Sequence, residues 1–173
     1  MKPIYLDYQS TTPTDDKVLK KMMPFFSDIY GNPHSSNHSF GTSASQAIDL
    51  SRQVIASSIG ADKSEIIFTS GATESNNLAI KGAFLYRYKY QNRKKIIIAA
   101  TEHKCVIEAS KSLTSLGAEV VIIEVNKEGK VDLEKLKDII NEDVAIVSVM
   151  LANNEIGVIQ PLKDISKICK EFN

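Results

Sequence analysis

The sequence predicts a doubly wound α/β protein built on a mainly parallel sheet with helices on both faces. Two observations predict it. Four short runs rich in Ile and Val carry no polar alternation, and each is followed by a segment with helical spacing. Strands without alternation are buried on both faces, as in parallel sheets. Strand–helix repetition is the mark of the α/β class.

The first forty residues differ in kind. They hold Pro3, Pro13, Pro24 and Pro33 and two polar loops. A short helix is expected near Asp15–Met23, ended by Pro24. The run Gly31-Asn32-Pro33-His34-Ser35-Ser36-Asn37-His38 has the chemistry of a loop. From Ser43 a long helix is expected, with Ala47, Ile48, Val54, Ile55 and Ile59 as its stripe and Gly60 as its stop. Four strand–helix units follow. The expected strands are Glu65–Thr69, Lys95–Ala100, Glu119–Val125 and Val144–Met150. The expected helices are Thr73–Tyr88, Cys105–Leu116 with Gly117 at its end, one capped by Asp132 and carrying Leu133, Leu136, Ile139 and Ile140, and a last one marked by Leu162, Ile165, Ile168, Cys169 and Phe172.

A chain of 173 residues suits one domain with a real core. The 21 basic and 21 acidic residues cancel and form no stripe, so nothing points to nucleic acid or an anionic membrane surface. No apolar run approaches transmembrane length. Residues 1–7 have neither the h-region of a signal peptide nor the arginines of a transit peptide, so a cytoplasmic location, or a mitochondrial-type lineage, is expected. Cys105 and Cys169 lie far apart and form no CxxC, so they are expected to be reduced thiols. The three histidines are dispersed and give no metal-ligand pattern.

Ligands of such sheets bind beyond the carboxyl ends of the strands. Three polar clusters stand there: Thr69-Ser70-Gly71-Ala72-Thr73-Glu74-Ser75-Asn76-Asn77, Thr101-Glu102-His103-Lys104-Cys105, and Leu151-Ala152-Asn153-Asn154-Glu155-Ile156-Gly157. The first is a strand, a glycine turn and a helix start, where free amides and the helix dipole favour phosphate. It is neither a Walker loop nor a GxGxxG fingerprint. Plain helix capping by Thr73 is the competing reading. His103 suits stacking on an aromatic ligand or moving a proton, or it is a surface histidine. Asn153 and Asn154 equally suit an Asx turn. Cys105 near a helix start favours a thiolate, and a buried structural cysteine is the simpler reading.

The exact strings add a resemblance that runs across essentially the whole chain. Ile4-Tyr5-Leu6-Asp7-Tyr8, Thr11-Thr12-Pro13 and Gly31-Asn32-Pro33-His34-Ser35 resemble the opening of class V aminotransferase-like enzymes. Residues Ile67–Asn77 resemble the phosphate cradle of NifS/IscS-type cysteine desulfurases. Thr101-Glu102-His103-Lys104 and Val147-Ser148-Val149-Met150 with Asn153–Val158 are similar to the next signatures of that family. The variants resemble its mitochondrial and α-proteobacterial branch most.

The resemblance implies the type I fold of pyridoxal 5'-phosphate (PLP) enzymes. Residues 1–14 would go with a small domain, and 15–173 would form the first part of the large, PLP-binding domain. It implies that Ala72 and Thr73 hold the cofactor phosphate and that His103 stacks on the pyridine ring and takes part in proton transfer. Asn154 would lie near the ring oxygen and the substrate carboxylate, with Asn32 also at the substrate. The implied reaction removes sulfur from L-cysteine to give alanine and a protein persulfide for iron–sulfur cluster assembly, with a homodimer and an iron–sulfur scaffold protein as partners.

The family's pyridine-pairing Asp, its Gln, its Ser-x-His-Lys Schiff-base segment, its nucleophilic Cys loop and its carboxylate-binding Arg have no counterpart in these residues. Lys104 follows His103 but belongs to the ring-stacking motif, so it is not assigned as the Schiff-base lysine. Cys105 likewise is not assigned as the persulfide carrier. The expectation is therefore an incomplete sheet, a chain that is inactive and poorly soluble or dynamic when expressed alone, and a separate C-terminal half as a further partner. A non-catalytic, partner-binding remnant and another enzyme of the same fold, such as a selenocysteine lyase, are the alternative readings.

Overall fold

The computed structural model of the chain describes residues 3–172. The fold divides into two compact units, one up to Phe68 and one from Thr69.

In the first unit, helix α1 (Asp16–Met22) begins where Asp15 accepts from the Lys17 amide at 2.8 Å. Pro24 ends it as expected, and the chain then continues as a four-residue helix, α2 (Pro24–Ser27). A proline at the first helical position lacks only an amide that would be unpaired anyway. Helix α3 (Ser39–Ile59) starts before the expected Ser43, because His38 caps it through Nδ1, which accepts from the Gly41 amide at 3.2 Å. Gly60, at φ 70°, stops it. The loop over 31–38 lies directly on the first turn of α3. A β-carbon at Gly41 would collide with the Ser35 carbonyl oxygen, so the seat needs glycine. The stripe on α3 is not closed over. Val54 and Ile59 are exposed, and Ala47, Ile48 and Ile55 share an apolar groove of about 1370 Å³ with Val18, Met22 and Phe25 of the two shorter helices.

The expected strand Glu65–Thr69 is not formed. A 3₁₀ turn (Lys63–Glu65) comes first, closed by a capping box in which Glu65 Oε2 accepts from the Asp62 amide at 2.7 Å. Ile66 then leaves in extended geometry, φ −93° and ψ 124°, without a ladder partner. Ile67 stays 66% exposed. A strand is a pairing rather than a local conformation, and no neighbouring strand reaches this segment. Arg52 holds it locally: its guanidinium lies 4.8 Å from the centroid of the Phe68 ring and donates to the Ile66 carbonyl.

The second unit carries a three-stranded parallel sheet in the order β2-β1-β3. Its strands are β1 (Lys95–Ala99), β2 (Glu119–Ile123) and β3 (Val144–Ser148). Helix α4 (Ala72–Gln91) precedes β1, and α5 (Lys104–Ser112) joins β1 to β2. Helix α6 (Leu133–Ile139) joins β2 to β3, and α7 (Leu162–Lys170) follows. Ile96, Ile97 and Ile98 are all 0% exposed, which decides that β1 is covered on both faces. Alternate side chains go to opposite faces. Ile96 and Ile98 pack with Ile80 and Phe84 of α4 and with Val106 and Ala109 of α5. Ile97 and Ala99 pack with Leu136 of α6 and with Ile165 and Ile168 of α7. Each such isoleucine contributes about 1.5–3 kcal/mol by leaving water.

The strands end one or two residues before the sequence expectation. Val125 forms an antiparallel bridge to Val131 instead of extending β2. The turn between them is tied by the buried Gln160, which donates to the Gly129 carbonyl at 2.8 Å and accepts from the Val131 amide at 2.9 Å. Asp132 caps α6 as expected, accepting from the Glu134 amide at 3.1 Å. The helix expected over Cys105–Leu116 splits into α5 and a 3₁₀ turn (Leu113–Leu116), which Gly117 closes at φ 94°.

Candidate functional site

Strand order alone locates a crevice. The helix leaving β1 packs on one face of the sheet, and the helix leaving β3, its neighbour, packs on the other. The two chains therefore part at the carboxyl ends of β1 and β3, which is the switch point where ligands of such sheets bind. A cleft of about 340 Å³ opens there. Thr101, Glu102, His103 and Lys104 line one side, and Asn153, Asn154, Glu155 and Ile156 line the other.

His103 is the N-cap of α5. Its Nδ1 accepts from the Cys105 amide at 3.2 Å, so that nitrogen carries a lone pair and the ring's donor is Nε2–H. The ring is exposed at the cleft, and Lys104 beside it is exposed as well. Cys105 Sγ lies 3.0 Å from Nδ1 and accepts from Asn76 Nδ2 at 3.1 Å. The thiol thus ties the first turn of α5 to the second turn of α4. Cys105 is half-buried within a hydrogen-bonded cluster, rather than the fully buried cysteine of the simpler reading.

Asn154 sits in the excursion that follows β3. Its base is closed by the antiparallel bridge Ala152–Ile159, and its tip turns at Gly157, φ 69°. Asn153 makes the Asx turn: its Oδ1 accepts from the amides of Glu155 and Ile156, both at 2.9 Å. Asn154 is left exposed to the cleft.

Ala72 and Thr73 are the first two residues of α4. Thr73 does not cap the helix. Gly71 is the N-cap, and no side chain caps the first-turn amides. The first amides of a helix have no partner of their own, so this end presents free N–H groups. A β-carbon at Gly71 would meet nothing within 4 Å, so the chain is open beside the helix start. Glu74 folds back to accept from the amide and hydroxyl of Ser70, both at 2.6 Å. The Ser70 hydroxyl and then its amide hold the Glu74 carboxyl below its ordinary range.

The structure therefore gathers His103 and Asn154 in one cleft, and Ala72 and Thr73 at a helix start joined to His103's helix by the Asn76–Cys105 bond. Asn32 belongs to the first unit, where its Oδ1 accepts from the His34 amide at 3.0 Å. Free amides, a flat ring with one donor and a carboxamide in a cleft fit a phosphorylated aromatic group.

Sequence reasoning passed over Glu102. Its carboxyl is buried in the floor of the cleft, accepts from Ser148 Oγ at 3.1 Å and lies within reach of the amides of His103 and Met150. Burial pushes its pKa up, against the opposing pull of the Ser148 hydroxyl and the two amides. The available signal was an acid standing two residues after the apolar run Ile96–Ala100.

Residues 4–173 match the family model described as aminotransferase class-V. The chain is 53% identical over 172 residues to cysteine desulfurase IscS of Rickettsia prowazekii (strain Madrid E), covering 99% of this chain and 41% of that protein. Among solved structures, one titled NifS-like protein superposes with a TM-score of 0.89 at 40% identity, covering 95% of this chain and 44% of the other. Another, titled SspA in complex with cysteine, gives 0.87 at 36% identity, covering 96% and 47%. The chain thus spans less than half the length of these relatives. The doubly wound sheet with its switch-point cleft is the fold of these PLP-dependent type I structures. With its residues from position 4 onward matched and its sheet superposed on theirs, the chain belongs to the class-V aminotransferase family.

Proposed function

We propose that this chain forms one wall of the PLP site of a cysteine desulfurase that converts L-cysteine to alanine and a protein persulfide destined for iron–sulfur cluster assembly. The observation that carries the reading is the meeting of His103 and Asn154 across the switch-point cleft, in a chain 53% identical to a desulfurase.

When bound, PLP supplies an electron sink for the substrate carbon. The chain's own residues bind and orient. The free amides of Ala72 and Thr73 receive the phosphate at the start of α4, where the helix dipole favours it. His103 covers the ring, and its capped Nδ1 leaves Nε2–H as the one proton it offers. Asn154 offers a carboxamide to the ring oxygen and the substrate carboxylate. The covalent anchor and the sulfur nucleophile come from outside these residues, either as a continuation of the polypeptide or as a separate half. A homodimer and an iron–sulfur scaffold partner complete the reading.

The test pairs the chain with a polypeptide spanning the remaining length of its IscS-type relatives and measures alanine released from L-cysteine in the presence of PLP. Alanine formation is expected, and His103→Ala is expected to lower it by about 100-fold. Absence of both PLP binding and alanine formation in the paired protein would sink the reading.

A further inference from the structure

Ladder pairing between β1 and β3 ends at Ile98 and Ser148. Beyond that pair no sheet hydrogen bonds hold the two chains at a fixed spacing, yet His103 and Asn154 lie on the two sides of the gap. Side-chain bonds span it in both directions. From the β1 side, Glu102 reaches the end of β3, accepting from Ser148 Oγ at 3.1 Å with the Met150 amide also within reach. From the β3 side, Asn153 reaches back, its Nδ2 donating to the Thr101 carbonyl at 3.0 Å. Both residues are also tied on their own side. Glu102 is within reach of the His103 amide, and Asn153 Oδ1 takes the Glu155 and Ile156 amides at 2.9 Å each.

We propose that Glu102 and Asn153 are positioning residues, a reciprocal brace that sets the separation of His103 and Asn154. The proposal rests on the reading of those two residues as the walls of a PLP site. The residue types fit the task. A carboxyl has two oxygens and about four lone-pair positions, enough for three donors at once. A carboxamide is the side chain that can close an Asx turn with its oxygen and still donate across the gap with its nitrogen. Neither needs to touch the bound group, since each acts through the backbone of the residue beside it.

Two conservative substitutions isolate the brace. Glu102→Gln keeps an oxygen for Ser148 but loses the second acceptor. Asn153→Asp keeps the turn but replaces the cross-gap donor with an acceptor facing the Thr101 carbonyl. The measurements are amide hydrogen exchange in the 173-residue chain and, in the paired protein, the dissociation constant for PLP, read by its change in absorbance. Glu102→Gln is expected to speed exchange at His103 and Met150 about tenfold while Ile97 and Ile98 in β1 stay unchanged. Each variant is expected to weaken PLP binding about tenfold, with the double variant no worse than the weaker single, as for two parts of one device. Unchanged exchange at His103 and Met150, or a rise shared equally by β1, overturns the brace. Additive losses in the double variant overturn the reciprocity. If PLP does not bind the unaltered paired protein, the functional reading fails and the exchange result alone decides the brace.

Discussion

At the scale of single residues, the cleft is organised by groups that its exposed surface hides. Glu102 is the clearest case. Burial favours its neutral form, so its folded pKa stands above the unfolded one. Such a group contributes stability that is fully present below the ordinary carboxylate value and is lost as pH rises through the raised one. Urea unfolding of the wild-type chain should therefore lose stability with rising pH more steeply than Glu102→Gln across that window. Equal slopes would show that the carboxyl is solvated after all. Cys169 gives a second check. Burial pushes its thiol up, so alkylation at neutral pH should be slower than for a free cysteine. The site residues themselves were legible only as exact strings. Local chemistry left His103 open between ligand and surface residue, and Thr73 open between cradle and cap. The uncapped start of α4 removes the second alternative. Glu102 escaped notice because its meaning depends on Ser148 and Met150, which follow it by a whole strand–helix–strand.

At the scale of elements, what the sequence disclosed depended on whether an element could satisfy itself. Helices carry their bonds and caps within a few residues, so Asp132, Gly60 and Gly117 marked their ends correctly. β1 was legible because an unbroken Ile run has no other way to be buried. The segment Glu65–Thr69 has the same composition as a strand and is not one, since pairing is a property of two chains. The start of α3 was misplaced because histidine is not among the favoured N-cap residues and the Gly41 seat against Ser35 exists only once the loop has folded. Gly41→Ala tests that seat. Its new methyl would collide with the Ser35 carbonyl, and backbone cannot yield as a side chain end would. A destabilisation of about 1–3 kcal/mol is expected. It should be read as faster hydrogen exchange over residues 31–41, with residues 95–99 unaffected.

At the scale of the whole molecule, burial is distributed unevenly. From Thr69 on, two clusters close over both faces of a sheet. Up to Phe68, Ala56 and Gly41 alone are buried among the described residues, while Phe26, Val54, Ile59 and Ile67 are exposed. Apolar groups left in water give little resistance to local opening and favour association. Limited proteolysis should cut first within residues 3–68 and leave a resistant core that begins near Thr69. An environment-sensitive dye should bind the intact chain more strongly than that core. Cleavage beginning within residues 95–148 instead would contradict this division. The same imbalance supports the expectation that the chain by itself is poorly soluble.

The central position of β1 has a further consequence during synthesis. The strand that becomes the middle of the sheet leaves the ribosome first, and both of its neighbours are still unmade. Lys95 must wait for Glu119, and Ile96 for Ile146. At the usual 5–20 residues per second, roughly 3–10 s pass before both edges of the three-isoleucine strand have partners. A nascent chain of this design is a natural client for a holding chaperone, and the interval closes when Ser148 emerges.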